Sequence, residues 1–196
     1  MDPSVSVAVA LGAFFIWALV IYNRLVALRN RVANALAQID VQLKRRHDLI
    51  PNLVETARGY MAHERETLQA VISARDSAQA AGKAASGNPA DTQALAAMAQ
   101  AEGTLTSTLC RFFAVAEAYP DLKANQNMMQ LSEEITTSEN KLSFARQAFN
   151  DAVMHFNTAL QSFPAAMFAS TLGFRPAAVL APLDSDIERK APAVRF

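Results

Sequence analysis

The residues that could carry out chemistry in this sequence are few, and the spacing of the histidines can be tested first. His63 and Glu64 begin like the zinc-protease motif H-E-x-x-H, but Thr67 occupies the position of the second histidine. A di-iron bundle needs Glu-x-x-His pairs. The residues three positions before the histidines are instead Lys44, Tyr60 and Ala152. The sequence therefore predicts no metal site, no cofactor and no catalytic residue, and we expect a protein that is not an enzyme.

Two further candidates have ordinary structural explanations. Asp151 and His155 are four residues apart, which favours a hydrogen bond on a helix surface over a pair of metal ligands. Cys110 follows the predicted core residue Leu109, and we expect a semi-buried structural thiol there. A single cysteine also excludes a disulfide scaffold and a cysteine-based zinc site.

Three polar residues fall where the helical period predicts an apolar side chain, namely Glu64, Glu102 and Ser138. Burial of a lone carboxylate is costly unless the group is paired or protonated. We expect the two glutamates to pair with arginines at the rim of a bundle, or to fix its register. The alternative is a partner or ligand site inside the bundle.

The elements that position these residues are helices. Between prolines 51, 89, 120 and 164 the apolar residues recur at alternating spacings of three and four, which is typical of helices packed around a common seam. No stretch alternates with the period of a strand. The predicted fold class is all-α, with an up-and-down antiparallel four-helix bundle over residues 23–163. The predicted core includes Val32, Leu36, Ile39, Leu43, Leu105, Leu109, Phe112, Ile135, Leu142, Phe149 and Phe156.

The path of the chain near Pro51 has two interpretations. In one, Asp48 caps a new helix, the chain reverses near His47, and four helices result. In the other, one helix runs from Asn23 to Ala81 with a kink at the proline. The reversal is favoured because a single long helix would leave its apolar stripe in water.

The N-terminal 22 residues contain a predicted membrane anchor. Residues 5–22 carry no charge, and as a helix of about 27 Å they match the roughly 30 Å hydrocarbon core of a bilayer. A buried core helix is a poorer interpretation because this stretch is apolar on all sides. A cleaved signal peptide would need a basic start, and residues 1–4 contain none. The sequence thus predicts a single-pass, uncleaved anchor.

Charge predicts the orientation of this anchor. Residues 23–46 carry six basic side chains against Asp40 alone. The positive-inside rule then places the bundle in the cytoplasm and leaves the short N-terminus outside. The overall net charge of zero argues against a nucleic-acid partner. Residues 177–196 show no helical period, and we expect a disordered tail there.

Long blocks of the sequence resemble the LemA family. One block is YNRLVALRNRVANALAQIDVQLKRRHDLIPNLVETARGYMAHERETL, residues 22–68. The other is AEAYPDLKANQNMMQLSEEITTSENKLSFARQAFNDAVMHFNTALQSFP, residues 116–164, followed by LGFRP at residues 172–176. The resemblance implies a bacterial single-pass membrane protein with a short external N-terminus and a cytoplasmic four-helix bundle. It brings no catalytic residue to this chain.

Two functions from different classes follow as hypotheses. The first is a self-assembling interaction or scaffold protein, whose partners are the lipid bilayer and either further copies of the chain or other membrane proteins. Its apolar stripe is wider than one seam needs. The flanking residues are Met61, Phe113, Phe144, Val153, Met154 and Leu160. The alternative is a membrane-shaping or lipid-interacting protein that uses the apolar residues 163–174 together with the basic stretch. In that case residues 164–176 form an interfacial segment.

Overall fold

The computed structural model describes residues 3–87 and 91–180, which form helices and turns without a strand. The four long helices are α1 (Pro3–Arg58), α2 (Arg65–Gly87), α3 (Thr92–Ala116) and α5 (Gln126–Gln161). Two single-turn helices, α4 (Pro120–Lys123) and α6 (Ala165–Phe168), precede and follow α5 in the sequence. The all-α fold class predicted from the apolar spacing is confirmed.

The favoured chain reversal near His47 is wrong, because α1 continues through Pro51 and ends at Arg58. The alternative, a helix that reaches Ala81, is also wrong, since the chain turns between residues 59 and 64. In that turn Met61 is fully buried, and its amide donates to the carbonyl of Ala57. The objection to a long helix does not apply, because α5 runs beside α1 and covers its apolar stripe.

The ends of the other helices are set by local capping. The side chain of Asp91 accepts hydrogen bonds from the backbone N–H groups of the first turn of α3, and Asn125 does the same for α5. Pro120 occupies the first turn of α4, where its missing N–H costs nothing. Residues 88–90 lie outside the described residues.

The packing is that of a bundle with two long and two short helices. α1 packs along α5, and the α2–α3 hairpin packs on α1 over the half that is distal to the N-terminus. Two apolar clusters result. The proximal core includes Leu25, Leu36 and Phe149, and the distal core includes Leu53 and Phe112.

Along the proximal core α1 and α5 run the full length. Residues 174–180, the C-terminal segment, fill one groove between them. This segment is introduced by Gly173, whose φ of 80° is the left-handed conformation that glycine adopts without strain. The amides of Gly173 and Phe174 donate to the carbonyls of Ser170 and Ala169, the pattern of a Schellman motif. The Phe174 ring then packs against Tyr22, with ring centroids 5.7 Å apart.

The C-terminal segment corrects the expectation of a disordered tail over the residues that the structure describes. The side-chain amide of Asn157 donates to the Ala177 carbonyl and accepts from its N–H, at 2.8 and 2.9 Å. Asn150, two helical turns earlier, holds the backbone of Leu180 in the same way at 3.0 and 2.8 Å. Leu180 is buried. Residues 181–196 lie outside the described residues.

Candidate functional site

A polar layer separates the two apolar cores. Its members are the buried polar side chains of the bundle, Arg46, His47, Glu102 and Ser138. One turn above the layer, Leu43 and Leu142 belong to the proximal core, and one turn below it Ile50 belongs to the distal core. The layer therefore crosses the whole bundle at one level.

Glu102 is the centre of this layer. Its Oε2 lies 3.3 Å from Nη1 of Arg46, and its Oε1 lies 2.8 Å from Nε2 of His47. The other guanidinium nitrogen, Nη2 of Arg46, donates to Oγ1 of Thr106 at 2.8 Å and to Oε1 of Glu139 at 3.4 Å. Thr106 donates its own proton to the same Glu139 oxygen at 3.2 Å. The network thus joins α1, α3 and α5 through charge-assisted hydrogen bonds.

The burial of the network decides what it can do. Arg46, His47 and Glu102 are 0%, 3% and 1% exposed, so the layer offers no surface to a substrate. A buried ion pair repays its desolvation only when the remaining donors and acceptors are satisfied, and Nε of Arg46 has no partner among the described residues. We therefore infer a structural role for the layer: it fixes the register of the helices and determines which helices pair within the bundle.

The remaining long helix, α2, contacts the layer at the point where Pro51 interrupts the hydrogen bonds of α1. Because proline has no N–H, the carbonyl of His47 loses its normal partner within α1. Arg75 of α2 donates its Nε–H to that carbonyl at 3.3 Å. The same guanidinium forms an ion pair with Asp76 at 2.8 Å. An arginine from the neighbouring helix thereby replaces the hydrogen bond that α1 loses at the proline.

The three off-pattern residues have different outcomes. Glu102 is paired with an arginine as expected, but at the centre of the bundle and not at its rim. Ser138 is buried and donates to the carbonyl of Ile135 at 2.8 Å, with no role in the ion network. Glu64 is half-buried and accepts from the Tyr119 hydroxyl at 3.2 Å. Desolvation, then this hydrogen bond and the Glu64 charge, raise the pKa of Tyr119 above its ordinary value of 10.0.

The sequence-based predictions missed this role of Arg46 and His47. Arg46 was counted only among the basic residues after the anchor, and His47 was considered only as a di-iron ligand and as the place of a chain reversal. The signal that could have found them is the core spacing itself. Continuing from Leu43 by three and four residues reaches Arg46, His47 and then Ile50.

The residues considered for metal binding lie apart. Among the described residues, no three histidine, cysteine or acidic side chains come close enough to share an ion. His63 and His155 are exposed. Cys110 is exposed as well, which corrects the expectation of a semi-buried thiol. It lies on the outer face of α3, one residue after the buried Leu109.

The flanking apolar residues divide into core and surface. Met61, Val153 and Leu160 are buried, so they widen the core, and Phe113 is half-buried. Phe144 and Met154 are 72% and 54% exposed on α5. A groove of about 520 Å³ lies beside Phe144, between α1 and α5. Its lining includes Ala37, Val41, Ala145 and Ala148.

The apolar residues 163–174 also divide. Ala165, Ala169 and Phe174 are buried against the end of the bundle. Four large side chains point outward from the same turn region, namely Phe163, Met167, Phe168 and Leu172. One end of the bundle, next to the anchor, therefore carries a cluster of exposed apolar side chains.

The N-terminal part of α1 is the last component of the site. Within Leu11–Arg58 it holds an 18-residue window that is long and apolar enough to cross a bilayer, with 6% of it buried. A core helix of similar composition would be mostly buried. The fold therefore defines a class, helical bundles that continue directly from an apolar helix of membrane-spanning length. The chain belongs to the LemA family, whose profile matches residues 35–196.

Two similar proteins extend this finding. The chain is 23% identical over 184 residues to the "Magnetosome protein MamQ" of Magnetospirillum gryphiswaldense, a match that covers 85% of this chain and 66% of that protein. It is 26% identical over 141 residues to "Protein LemA" of Metamycoplasma hominis, covering 72% and 60% respectively. The chain thus spans slightly less than two thirds of the length of these relatives.

Proposed function

We propose that this protein is a membrane-anchored scaffold whose helical bundle associates with further copies of itself. The observation that supports this most directly is the continuity of α1. One helix leads from an exposed apolar stretch, without a loop, into the buried core positions that begin at Leu25. A helix of 56 residues, about 84 Å long, is a stiff connection that fixes the direction of the bundle relative to the bilayer. A scaffold of this kind needs neither a catalytic residue nor a cofactor.

The proposed location is a bacterial inner membrane, with the N-terminus outside and the bundle in the cytoplasm. The support is the charge of α1 just after its apolar stretch. Arg24, Arg29 and Arg31 all occur within ten residues of Tyr22, with no acidic residue among them. Such a cluster favours retention on the cytoplasmic side.

The self-association surface is the α1–α5 groove at Phe144. A two-fold symmetric interface must be complementary to itself, so it has to carry both a projecting group and a recess for it. Phe144 projects into solvent, and the small side chains of Ala37, Ala145 and Ala148 line the recess beside it. Val41, 61% exposed, extends the apolar area. Anchoring keeps all copies parallel, which a two-fold axis normal to the membrane preserves.

The test is the mass of the full-length protein in detergent over a range of concentrations. We expect a dimer or larger assembly for the wild type. The Kd for self-association of Phe144→Ser should be higher by about tenfold or more, because a large aromatic side chain is removed from the interface. Met154→Ser is the matched control, since Met154 is an exposed apolar residue of the same helix that does not line the groove. A wild-type monomer at every concentration would contradict self-association.

A second candidate function, contact with the lipid surface, is supported by the exposed apolar cluster at the end of the bundle. Phe163 is 80% exposed and Met167 is 64% exposed, which is expensive in water and favourable at a bilayer interface. A polarity-sensitive fluorophore on Met167→Cys, in a Cys110→Ser background reconstituted in liposomes, should emit at shorter wavelength than the same probe on Asp151→Cys. Equal emission from both positions would contradict lipid contact.

A further inference from the structure

The two grooves between α1 and α5 near the anchor differ. One is filled by the C-terminal segment, where Phe174 contacts Tyr22 and lies 5.5 Å beneath the guanidinium of Arg29. The other is an open crevice of about 510 Å³ between α1, the end of α5 and the start of α6. The crevice is thus a position in the bundle that the described part of the chain leaves unfilled.

The lining of this crevice is both basic and apolar. Arg24 and Arg31 line it from α1, and His155 and Thr158 line it from α5. Its lining, as far as the structure describes the chain, includes no acidic residue, and neither arginine forms an ion pair with a described carboxylate. The charge of the two guanidinium groups is therefore available to an anion.

The apolar part of the lining continues the anchor. Ile21, Leu25 and Leu28 lie on the same side of α1 as the two arginines, with Phe163 opposite them. A small free anion gains nothing from such a wall, whereas a molecule with a charged phosphate beside an apolar body gains from both parts.

The height of the crevice fits the surface of a bilayer. Arg24 follows Tyr22 by two residues, so it lies about 3 Å along the helix from the predicted end of the apolar stretch. Arg31 lies about 10 Å further along the helix. The headgroup layer is roughly 5–8 Å thick on each side of the hydrocarbon core. Arg24 therefore lies within this layer, and Arg31 lies just beyond it on the side of the bundle.

We propose that this crevice binds one anionic phospholipid, with Arg24 and Arg31 holding its phosphate headgroup and Ile21 and Phe163 contacting its apolar part. The inference rests on the membrane anchoring in the proposed function but not on self-association. Basic pockets beside membrane-spanning helices are suited to acidic headgroups. The Thr158 hydroxyl supplies a further hydrogen-bond donor at the crevice wall.

The experiment is native mass spectrometry of the delipidated full-length protein in detergent, titrated with dioleoylphosphatidylglycerol. We expect one lipid to be retained by the wild type at concentrations where dioleoylphosphatidylcholine is not retained. Arg24→Gln/Arg31→Gln should need about tenfold or more phosphatidylglycerol for the same occupancy, because two charge-assisted contacts are lost. Lys44→Gln/Arg45→Gln is the matched control, with the same change of charge on exposed residues of the same helix. It should bind as the wild type does.

Two further arms define the site and its ligand. Thr158→Trp places a large side chain in the crevice without changing the charge, and it should abolish retention of phosphatidylglycerol. Inorganic phosphate at constant ionic strength should not displace the lipid. Equal loss in both charge variants, unchanged retention in the Thr158 variant, or complete displacement by phosphate would each overturn the assignment. All these variants keep the apolar helix, so their recovery in the membrane fraction of cells reports separately on anchoring.

Discussion

At the scale of single residues, Glu102 is the shared hydrogen-bond partner of Arg46 and His47, two side chains that the bundle has removed from water. Glu102→Leu would remove the carboxylate that pairs with both Arg46 and His47, and we expect the free energy of unfolding to fall by about 3–5 kcal/mol. Arg46→Met/Glu102→Leu removes both charges and should recover a large part of that loss. Thermal unfolding of the full-length chain in detergent measures both changes.

The exposed ion pair between Arg58 and Glu55 is the control for this prediction. Its side chains are 65% and 72% exposed, so Glu55→Ala should cost about 0–1 kcal/mol. If Arg46→Met/Glu102→Leu costs as much as the sum of Arg46→Met and Glu102→Leu measured separately, Arg46 and Glu102 are not energetically coupled.

Tyr119 gives a prediction about pH. Its pKa is raised in the folded protein, so the neutral phenol is favoured there. The contribution of Tyr119 to stability is therefore complete below pH 10.0 and is lost as the pH rises through the folded-state pKa. Glu64→Gln removes the charge but not the burial, so it should lower the Tyr119 pKa part of the way towards 10.0.

Tyrosinate absorbance in a Tyr22→Phe/Tyr60→Phe background measures this shift, since the chain has three tyrosines. Glu66→Gln changes an exposed residue in the first turn of α2, two residues after Glu64, and should leave the titration unchanged. An unaltered Tyr119 titration in Glu64→Gln would show that the 3.2 Å contact does not act on the phenol.

At the scale of elements, α1 shows what the sequence could and could not reveal. The spacing of three and four correctly predicts that Leu36, Ile39 and Leu43 are buried, because the apolar residues of an amphipathic helix recur with the helical period on its buried face. The path through Pro51 could not be inferred in this way. It depends on Arg75, which is distant along the chain and meets the free carbonyl of His47 only after α2 has packed.

The candidate sites show the same division. Glu102 could be recognised as anomalous from its position, but its partners could not be assigned before the helices were aligned. The prediction of disorder from residue 177 onward is wrong for residues 177–180, because their order comes from Asn150 and Asn157 and not from a helical period of their own. Short-range patterns predict local structure, whereas contacts between distant residues require the fold.

Pro51 and Arg75 are predicted to be energetically coupled. Arg75→Met leaves the buried His47 carbonyl without a partner and should cost about 1–3 kcal/mol. In a Pro51→Ala background the new N–H of residue 51 can satisfy that carbonyl, so the same replacement should cost about 1 kcal/mol less. Chemical unfolding of the four proteins gives the coupling. Equal costs in the two backgrounds would contradict the compensation.

The ion pair with Asp76 provides the control for Arg75. Asp76 is exposed, and Asp76→Asn should change stability by less than about 1 kcal/mol in either background. A large effect of this change would mean that Arg75 acts through the ion pair and not through the His47 carbonyl.

At the scale of the whole molecule, the proposed scaffold is a helical bundle that one continuous helix joins to an apolar stretch of membrane-spanning length. Its orientation can be tested with the native Cys110, the one cysteine of the sequence, which is exposed. With the bundle in the cytoplasm, a membrane-impermeant thiol reagent should label Cys110 only after cells are permeabilised, and Cys110→Ser should not be labelled at all. Labelling in intact cells would reverse the proposed orientation.

The proposed scaffold model places anchored copies parallel to one another, with the Phe144 groove as their self-association surface. The most direct measurement is cross-linking in living cells with a photoreactive amino acid in place of Phe144, and in place of Met154 as a control on the same helix. The scaffold model predicts a cross-linked species of twice the monomer mass, in the membrane fraction, from position 144 and not from 154. Monomer alone from position 144, or product in the soluble fraction, would contradict it.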